Sequence, residues 1–400
     1  MRVLIADKFQ QKYLGDLEAL GHEITLNADL TADDIVGAII GYDVLIVRST
    51  KVTAPAIAAS DHLSLIIRAG AGVNTIDIKA AAQKGIFVCN CPGKNAIAVA
   101  EVAFGLLVSI DRRIPDNVIE LRNGKWNKKK YGKDDGLFGK TIAVLGLGEI
   151  GLALAERAAA FGMDVLAIDK PRNAENQRRL ENINTRFIST QEELLAQADV
   201  ISIHLPSNDQ TKHMVNKAFL SHVRVGAIII NTSRGNIIDD DALLEAIEAK
   251  QLRVGLDVYN NEPTTGQCDF DNTLAKHAAV YGTHHIGAST EQAQNAIACD
   301  VIEILKQYGK GNVINSVNVQ EYPEVTHTIT VRHYDRVGVL AAVLTVLRED
   351  NVNIEQMKNM VFAGGQAACA TLFTNREPQG AALEKLEAIE DVISVTVKSS

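Results

Sequence analysis

The run Gly146-Leu147-Gly148-Glu149-Ile150-Gly151 constrains this chain more than any other segment. The apolar stretch before it, 140–145, reads as a strand. The alanine-rich stretch after it, reaching about residue 161, reads as a helix. A second apolar strand begins near residue 163 and ends in Asp169. Glycines in a strand-to-helix turn let the backbone approach a pyrophosphate, whose charge rests on free N–H groups at the helix N-terminus. An acidic residue closing the next strand accepts hydrogen bonds from an adenosine ribose and repels a 2′-phosphate. Gly146, Gly148, Gly151 and Asp169 therefore predict a dinucleotide site that prefers NAD to NADP. Lys170 and Arg172, just downstream, pull the other way.

Four hundred residues exceed one hydrophobic core, so two to four domains are expected. A net charge of −9 gives no reason to expect nucleic acid or an anionic membrane as partner. No apolar run is long enough to span a bilayer. The start, Met1-Arg2-Val3-Leu4-Ile5-Ala6-Asp7, reads as a first strand rather than a signal peptide, because Asp7 interrupts the apolar run. The five cysteines form no Cys-x-x-Cys pair, and Cys89 and Cys91 read as packed thiols on one strand. These features predict a reducing, cytoplasmic setting. No metal-ligand cluster is expected.

Strands and short helices alternate through the first ninety residues, and Thr31 with Asp34 has the spacing of a helix-capping box. The same alternation resumes at residue 140 and predicts a sheet of six or seven strands. Both patterns argue doubly wound parallel sheets, Rossmann-like or flavodoxin-like. Two long apolar helices, near 95–110 and 292–308, flank the nucleotide unit. The second is too short for a domain and is expected to return to the N-terminal unit, leaving a cleft at the junction. The expected domains are 1–93 with 287–318 for substrate and 94–286 for NAD. A linker follows over 309–323, and a third domain spans 325–400. The last reads βαββαβ, a ferredoxin-like pattern without a catalytic cluster.

Three residues after the glycine run lie at strand ends. Arg234 follows Asn231-Thr232-Ser233, Glu262 follows the strand ending Asp257-Val258-Tyr259, and His285 lies in Thr283-His284-His285-Ile286-Gly287. Ligands of open α/β sheets bind beyond the carboxyl ends of the strands, so all three can reach one crevice. Hydride transfer between a 2-hydroxy acid and nicotinamide needs a group that exchanges the hydroxyl proton and a cation that holds the carboxylate. Histidine suits the first role, with a carboxylate to fix its tautomer. Arginine suits the second, because its fork engages a carboxylate bidentately. Arg48, at a strand end, and Lys128, in the basic loop Lys125-Trp126-Asn127-Lys128-Lys129-Lys130, are further cations for a phosphorylated substrate.

These motifs, together with His204-Leu205-Pro206 and Ala288-Ser289-Thr290, resemble the D-isomer-specific 2-hydroxyacid dehydrogenases over about residues 1–310. The run Arg68-Ala69-Gly70-Ala71-Gly72-Val73-Asn74 and the terminal module look like the branch that oxidises 3-phosphoglycerate. The terminal module resembles an ACT domain, with His333-Tyr334-Asp335-Arg336-Val337-Gly338 at its first turn. The resemblance implies His285 as proton donor, Glu262 as its partner and Arg234 as substrate clamp. It places NAD against Gly146, Gly148, Glu149, Ile150, Gly151, Asp169, Thr232, Ser233, Arg234, Asp257, His285, Ile286, Gly287 and Ala288. Arg48, Asn74, Lys128 and Arg234 become the substrate-binding candidates, with Lys128 reaching a neighbouring subunit of a homodimer or homotetramer. The substrate is then a small molecule, and the ACT-like module implies an amino-acid effector. Two departures stand out. His284 replaces a common Pro, and Asp335 replaces a common Asn, which predicts weak serine inhibition or none. Another 2-keto acid such as 2-oxoglutarate, glyoxylate or hydroxypyruvate is the alternative substrate. A non-catalytic NAD-sensing regulator is the alternative of a different class.

Overall fold

The computed structural model describes residues 1–133, 135–263, 267–320 and 325–399. The expected linker end at residue 323 and the last position, 400, lie outside the described residues. The chain divides into two compact units, 1–318 and 319 onward.

The first unit holds two parallel sheets. Strands β1 (Arg2–Ile5), β2 (Glu23–Leu26), β3 (Val44–Val47), β4 (Leu65–Arg68) and β5 (Phe87–Asn90) run in the order β2-β1-β3-β4-β5. β3 is buried along its whole length, which explains why it reads as an unbroken apolar run rather than an alternating one. The helix Ala32–Ala38 opens on the predicted capping box: Asp34 N–H donates to Thr31 Oγ1, and the Asp34 carboxylate accepts from the Thr31 N–H at 2.9 Å. The long helix Glu291–Tyr308 packs Ile297, Val301, Ile304 and Leu305 against Val3, Ile5, Ile46 and Ile67 of this sheet. Cys89 and Cys91 lie in the same core as free, buried thiols.

The second sheet contains β6 (Thr141–Leu145), β7 (Asp164–Ile168), β8 (Arg186–Ile188), β9 (Val200–Ile203), β10 (Ile228–Asn231), β11 (Arg253–Leu256) and β12 (Val280–Gly282). Their order is β12-β11-β10-β9-β6-β7-β8. The chain winds outward through β7 and β8, then returns to β9 on the other side of β6. That reversal opens a crevice beyond the carboxyl ends of β6 and β9. The helix Ala96–Arg112 packs Leu106, Leu107 and Ile110 against Ile142, Val144, Val200 and Ile230. A further helix, Ile114–Arg122, has no counterpart in the sequence reading. Arg113 enters it in a left-handed conformation (φ 47°) and Pro115 occupies its first turn, so the break between the helices is local.

The second unit is β13 (His327–Tyr334), helix Val339–Glu349, β14 (Ile354–Val361), β15 (Ala367–Thr374), helix Gly380–Glu387 and β16 (Val392–Ser399). Its antiparallel order, β14-β15-β13-β16, is the ferredoxin-like arrangement. Ile329 and Val331 of β13, with Ala370 and Leu372 of β15, form one core with Val343, Leu347 and Leu386 of the helices.

No helix among the described residues is long and apolar enough to cross a membrane.

Candidate active site

The glycine run forms the turn between β6 and the helix Glu149–Ala160, with Gly148 as its N-cap. Gly146 has φ +92°, and a Cβ there would run into the His204 carbonyl. A Cβ on Gly151 would strike the Gly146 carbonyl. These two glycines permit the close packing. Gly148 differs, because open space surrounds the place its side chain would take. Gly148 is exposed, and the first N–H groups of the helix it caps have no intrahelical acceptor, so they are free for an approaching pyrophosphate. Thr232 and Ser233, just past the end of β10, are buried, and Thr232 Oγ1 is enclosed with no hydrogen-bond partner among the described residues. An open glycine cradle after β6 and an orphaned hydroxyl after β10, two strands along the same sheet, fit a bound dinucleotide.

Glu149 opens the helix, and its carboxylate pairs with Arg179 at 3.2 Å. Asp169 lies exposed past the end of β7. Arg172 is bound locally: its guanidinium donates to the Lys170 carbonyl at 2.8 Å and to the Ile168 carbonyl, and it lies 5.1 Å from the Phe187 ring centroid. A guanidinium committed to carbonyls is a poor receptor for a 2′-phosphate. The counter-pull anticipated from Arg172 is thus weakened, while Lys170 stays exposed beside Asp169 and opposes it. Wild-type kcat/KM is expected to favour NADH over NADPH by at least about tenfold, as ~1.4 kcal/mol of repulsion gives. Asp169→Ala should narrow that ratio, and equal wild-type values for the two cofactors would refute the assignment.

On the opposite side of the crevice, Glu262 and His285 meet. His285 Nδ1 lies 2.6 Å from Glu262 Oε2, while Glu262 Oε1 accepts from the Tyr259 N–H at 2.9 Å. Burial raises the Glu262 pKa. The hydrogen bonds from His285 and Tyr259 and the nearby Arg234 outweigh it, holding the carboxyl below its usual range. An ionised Glu262 requires a proton on Nδ1, so Nε2 is the nitrogen left for chemistry. His285 has φ +52°, a conformation uncommon for histidine. Asp257, buried, holds the segment in place: Oδ1 accepts from the Ile286 N–H at 2.8 Å and from Thr283 Oγ1 at 2.6 Å, and Oδ2 accepts from the Gly287 N–H at 2.9 Å. Ile286 and Ala288 flank Gly287 on the same segment. His284 is exposed and makes no hydrogen bond among the described residues.

Arg234 crosses between the sheets. Its Nη1 donates to the Ser233 carbonyl at 2.6 Å and its Nε to Asn74 Oδ1 at 3.3 Å. Its other nitrogen occupies the space that a side chain on Gly72 would need. The turn before it is shaped by Asn231, whose Oδ1 accepts from Ser233 and whose amide donates to the Arg234 carbonyl. Asn74, a candidate for direct substrate binding, spends its carbonyl oxygen on orienting Arg234.

The sequence reading missed Arg68 as a cation of this site. Its guanidinium lies over Gly70, its Nε is buried without a partner among the described residues, and burial with neighbouring Arg234 and Arg48 pulls its pKa down to about 10. The available signal was an arginine ending a strand just before Gly70 and Gly72. Arg48 stands nearby at the end of β3. The N–H groups of Arg48, Ser49 and Thr50 all donate to Asp7 Oδ2, at 2.6, 3.0 and 3.1 Å. Lys128 lies exposed on the loop after the helix Ile114–Arg122, and no hydrogen bond or ion pair joins it to these residues.

Residues 104–322 match the family described as D-isomer specific 2-hydroxyacid dehydrogenase, NAD binding domain. Hydroxypyruvate reductase of Thermotoga maritima is 39% identical over 76% of this chain and 96% of its own. The chain belongs to this dehydrogenase family. D-3-phosphoglycerate dehydrogenase of Methanocaldococcus jannaschii is 36% identical over 80% of this chain, which spans 60% of that enzyme's length. The NAD-dependent formate dehydrogenase of Staphylococcus aureus, solved in complex with NAD, superposes with a TM-score of 0.69 at 27% identity, covering 80% of this chain and 99% of its own. The glycine cradle lies within the residues that match this NAD-binding domain.

Proposed function

We propose that this chain oxidises D-3-phosphoglycerate to 3-phosphohydroxypyruvate with NAD, the entry step to L-serine. The observation carrying the reading is a surplus of positive charge. Arg48, Arg68 and Arg234 gather at the strand ends, and none forms an ion pair among the described residues. One carboxylate needs one such cation, whereas a carboxylate with a phosphoryl group needs several.

NAD, when bound, accepts the hydride leaving C2. Arg234 holds the substrate carboxylate and polarises the C2 oxygen. His285 Nε2 takes the C2 hydroxyl proton during oxidation and returns it during reduction. Glu262 keeps the tautomer and stabilises the imidazolium that forms. The C-terminal βαββαβ unit serves as an ACT-type module kept chiefly for assembly, with weak serine inhibition or none, and Lys128 contributes across the interface of a homodimer or homotetramer.

A second reading, reduction of hydroxypyruvate, draws on the Thermotoga relative. Initial rates with NADH separate the two. Each charge-assisted hydrogen bond contributes about 1.5–3 kcal/mol. By that measure 3-phosphohydroxypyruvate should exceed hydroxypyruvate, glyoxylate and 2-oxoglutarate in kcat/KM by at least about tenfold. Equal or reversed preference would replace the phosphoglycerate reading with the second one.

A further inference from the structure

We propose that Arg179 is a positioning residue for NAD binding: it draws the Glu149 carboxylate off the path of the pyrophosphate and offsets its charge. The proposal holds for any 2-keto acid and does not depend on the phosphoglycerate reading.

The need for such a residue arises in the glycine run itself. Glu149 is the first residue of the helix Glu149–Ala160, directly after the Gly148 N-cap. A carboxylate there complements the positive end of the helix by itself. A pyrophosphate arriving at the same N–H groups brings negative charge to the same place. Like charges at one helix terminus repel. An acid in the first turn therefore weakens the hold on the cofactor unless a cation answers it.

The fold supplies that cation from 30 residues away. Arg179 lies on the helix Ala174–Asn182, which follows β7, and its Nη1 donates to Glu149 Oε2 at 3.2 Å. Its other nitrogens are fixed: Nε donates to Glu156 Oε1 at 2.8 Å and Nη2 to Glu156 Oε2 at 3.1 Å. Glu149 and Glu156 lie on one face of their helix, two turns apart. The fork on Glu156 anchors the guanidinium and leaves one N–H group for Glu149. The Arg179 side chain is 25% exposed against 57% for Glu149, so the arginine is the held partner and the carboxylate is drawn to it. From the other side, the Glu149 stem meets the turn at Gly93, where an added Cβ would stand 3.3 Å from Glu149 Cγ. The stem is thus confined between that turn and Arg179. The helix that carries Arg179 also reaches the glycine run directly, with Asn176 Nδ2 3.5 Å from the Leu147 carbonyl oxygen. Arg179 and the cradle therefore keep a fixed relation.

The test is NADH binding to the full chain, read by fluorescence titration without keto acid. Arg179→Met should raise the Kd about threefold to tenfold, the range for an uncompensated charge at a helix terminus. Added salt should narrow the gap to wild type by screening the repulsion, which a packing defect would not show. Removing the acid as well, in the double variant Glu149→Gln with Arg179→Met, should restore the Kd to within about twofold of wild type. Arg179→Lys keeps the charge and should keep most of the affinity. A double variant as weak as Arg179→Met would overturn the proposal, because Arg179 would then act on the cofactor or on its own helix rather than through Glu149. Unchanged affinity in Arg179→Met would overturn it equally. Melting temperatures accompany each titration. If Arg179→Met does not fold, Arg179→Gln, alone and paired with Glu149→Gln, is read by the same two outcomes.

Discussion

His285→Ala is expected to lower kcat by about two to four orders of magnitude, the range a general acid–base group contributes. NADH affinity should change little. The backbone that carries His285 is held by Asp257 through the N–H groups of Ile286 and Gly287, independently of the imidazole. The left-handed backbone at His285 adds a cost for alanine, so His285→Asn, which tolerates that conformation, is the cleaner variant. Stopped-flow binding of NADH and steady-state turnover separate the two effects. His284→Ala should stay near wild type, since His284 engages nothing that the reaction needs. Normal turnover in His285→Ala with loss in His284→Ala would move the proton-transfer role by one residue.

Arg234→Gln should reduce kcat/KM for the keto acid by roughly 30- to 5,000-fold, corresponding to the 2–5 kcal/mol typical of truncating a buried, hydrogen-bonded charge. Arg234 is well buried, which lowers its pKa, yet it keeps its proton beside Glu262. Lysine should not rescue it. The planar fork is held by the Ser233 carbonyl and Asn74, and an ammonium cannot satisfy both while engaging a carboxylate bidentately. Because Arg234 also joins the two sheets through Asn74, the melting temperature must be measured alongside. A wild-type kcat/KM in Arg234→Lys would show that a point charge suffices and that the bidentate clamp is not used.

The helix Ile114–Arg122 illustrates why part of the fold escaped the sequence. Its boundary with the preceding helix depends on one left-handed residue, Arg113, and residue type alone does not signal that conformation. Strand ends also fall one or two residues inside the apolar runs that suggested them, as with β1, which stops at Ile5 although Ala6 is equally buried. The roles of Arg68, Asn74 and Arg172 escaped for a different reason. Each depends on a partner far away in sequence or on a carbonyl whose direction only the fold sets.

The local patterns by themselves determined much of this protein. The glycine run works over a few residues, because a missing Cβ and a helix terminus are properties of one turn. Alternating apolar segments likewise dictate parallel strands with helices between them, since burial on both faces leaves no other arrangement. His285, Glu262 and Arg234 were recognisable because each lies in a loop that follows a strand, and all strands of a parallel sheet end on the same side. Only the tertiary structure decided how these residues act together. It set His285 against Glu262 across 23 residues and Arg234 against Asn74 across 160. It also brought Arg179 to Glu149 across 30 residues. Charge and hydrogen-bond direction fall off within a few ångströms, so such contacts exist only once the chain has brought distant segments together.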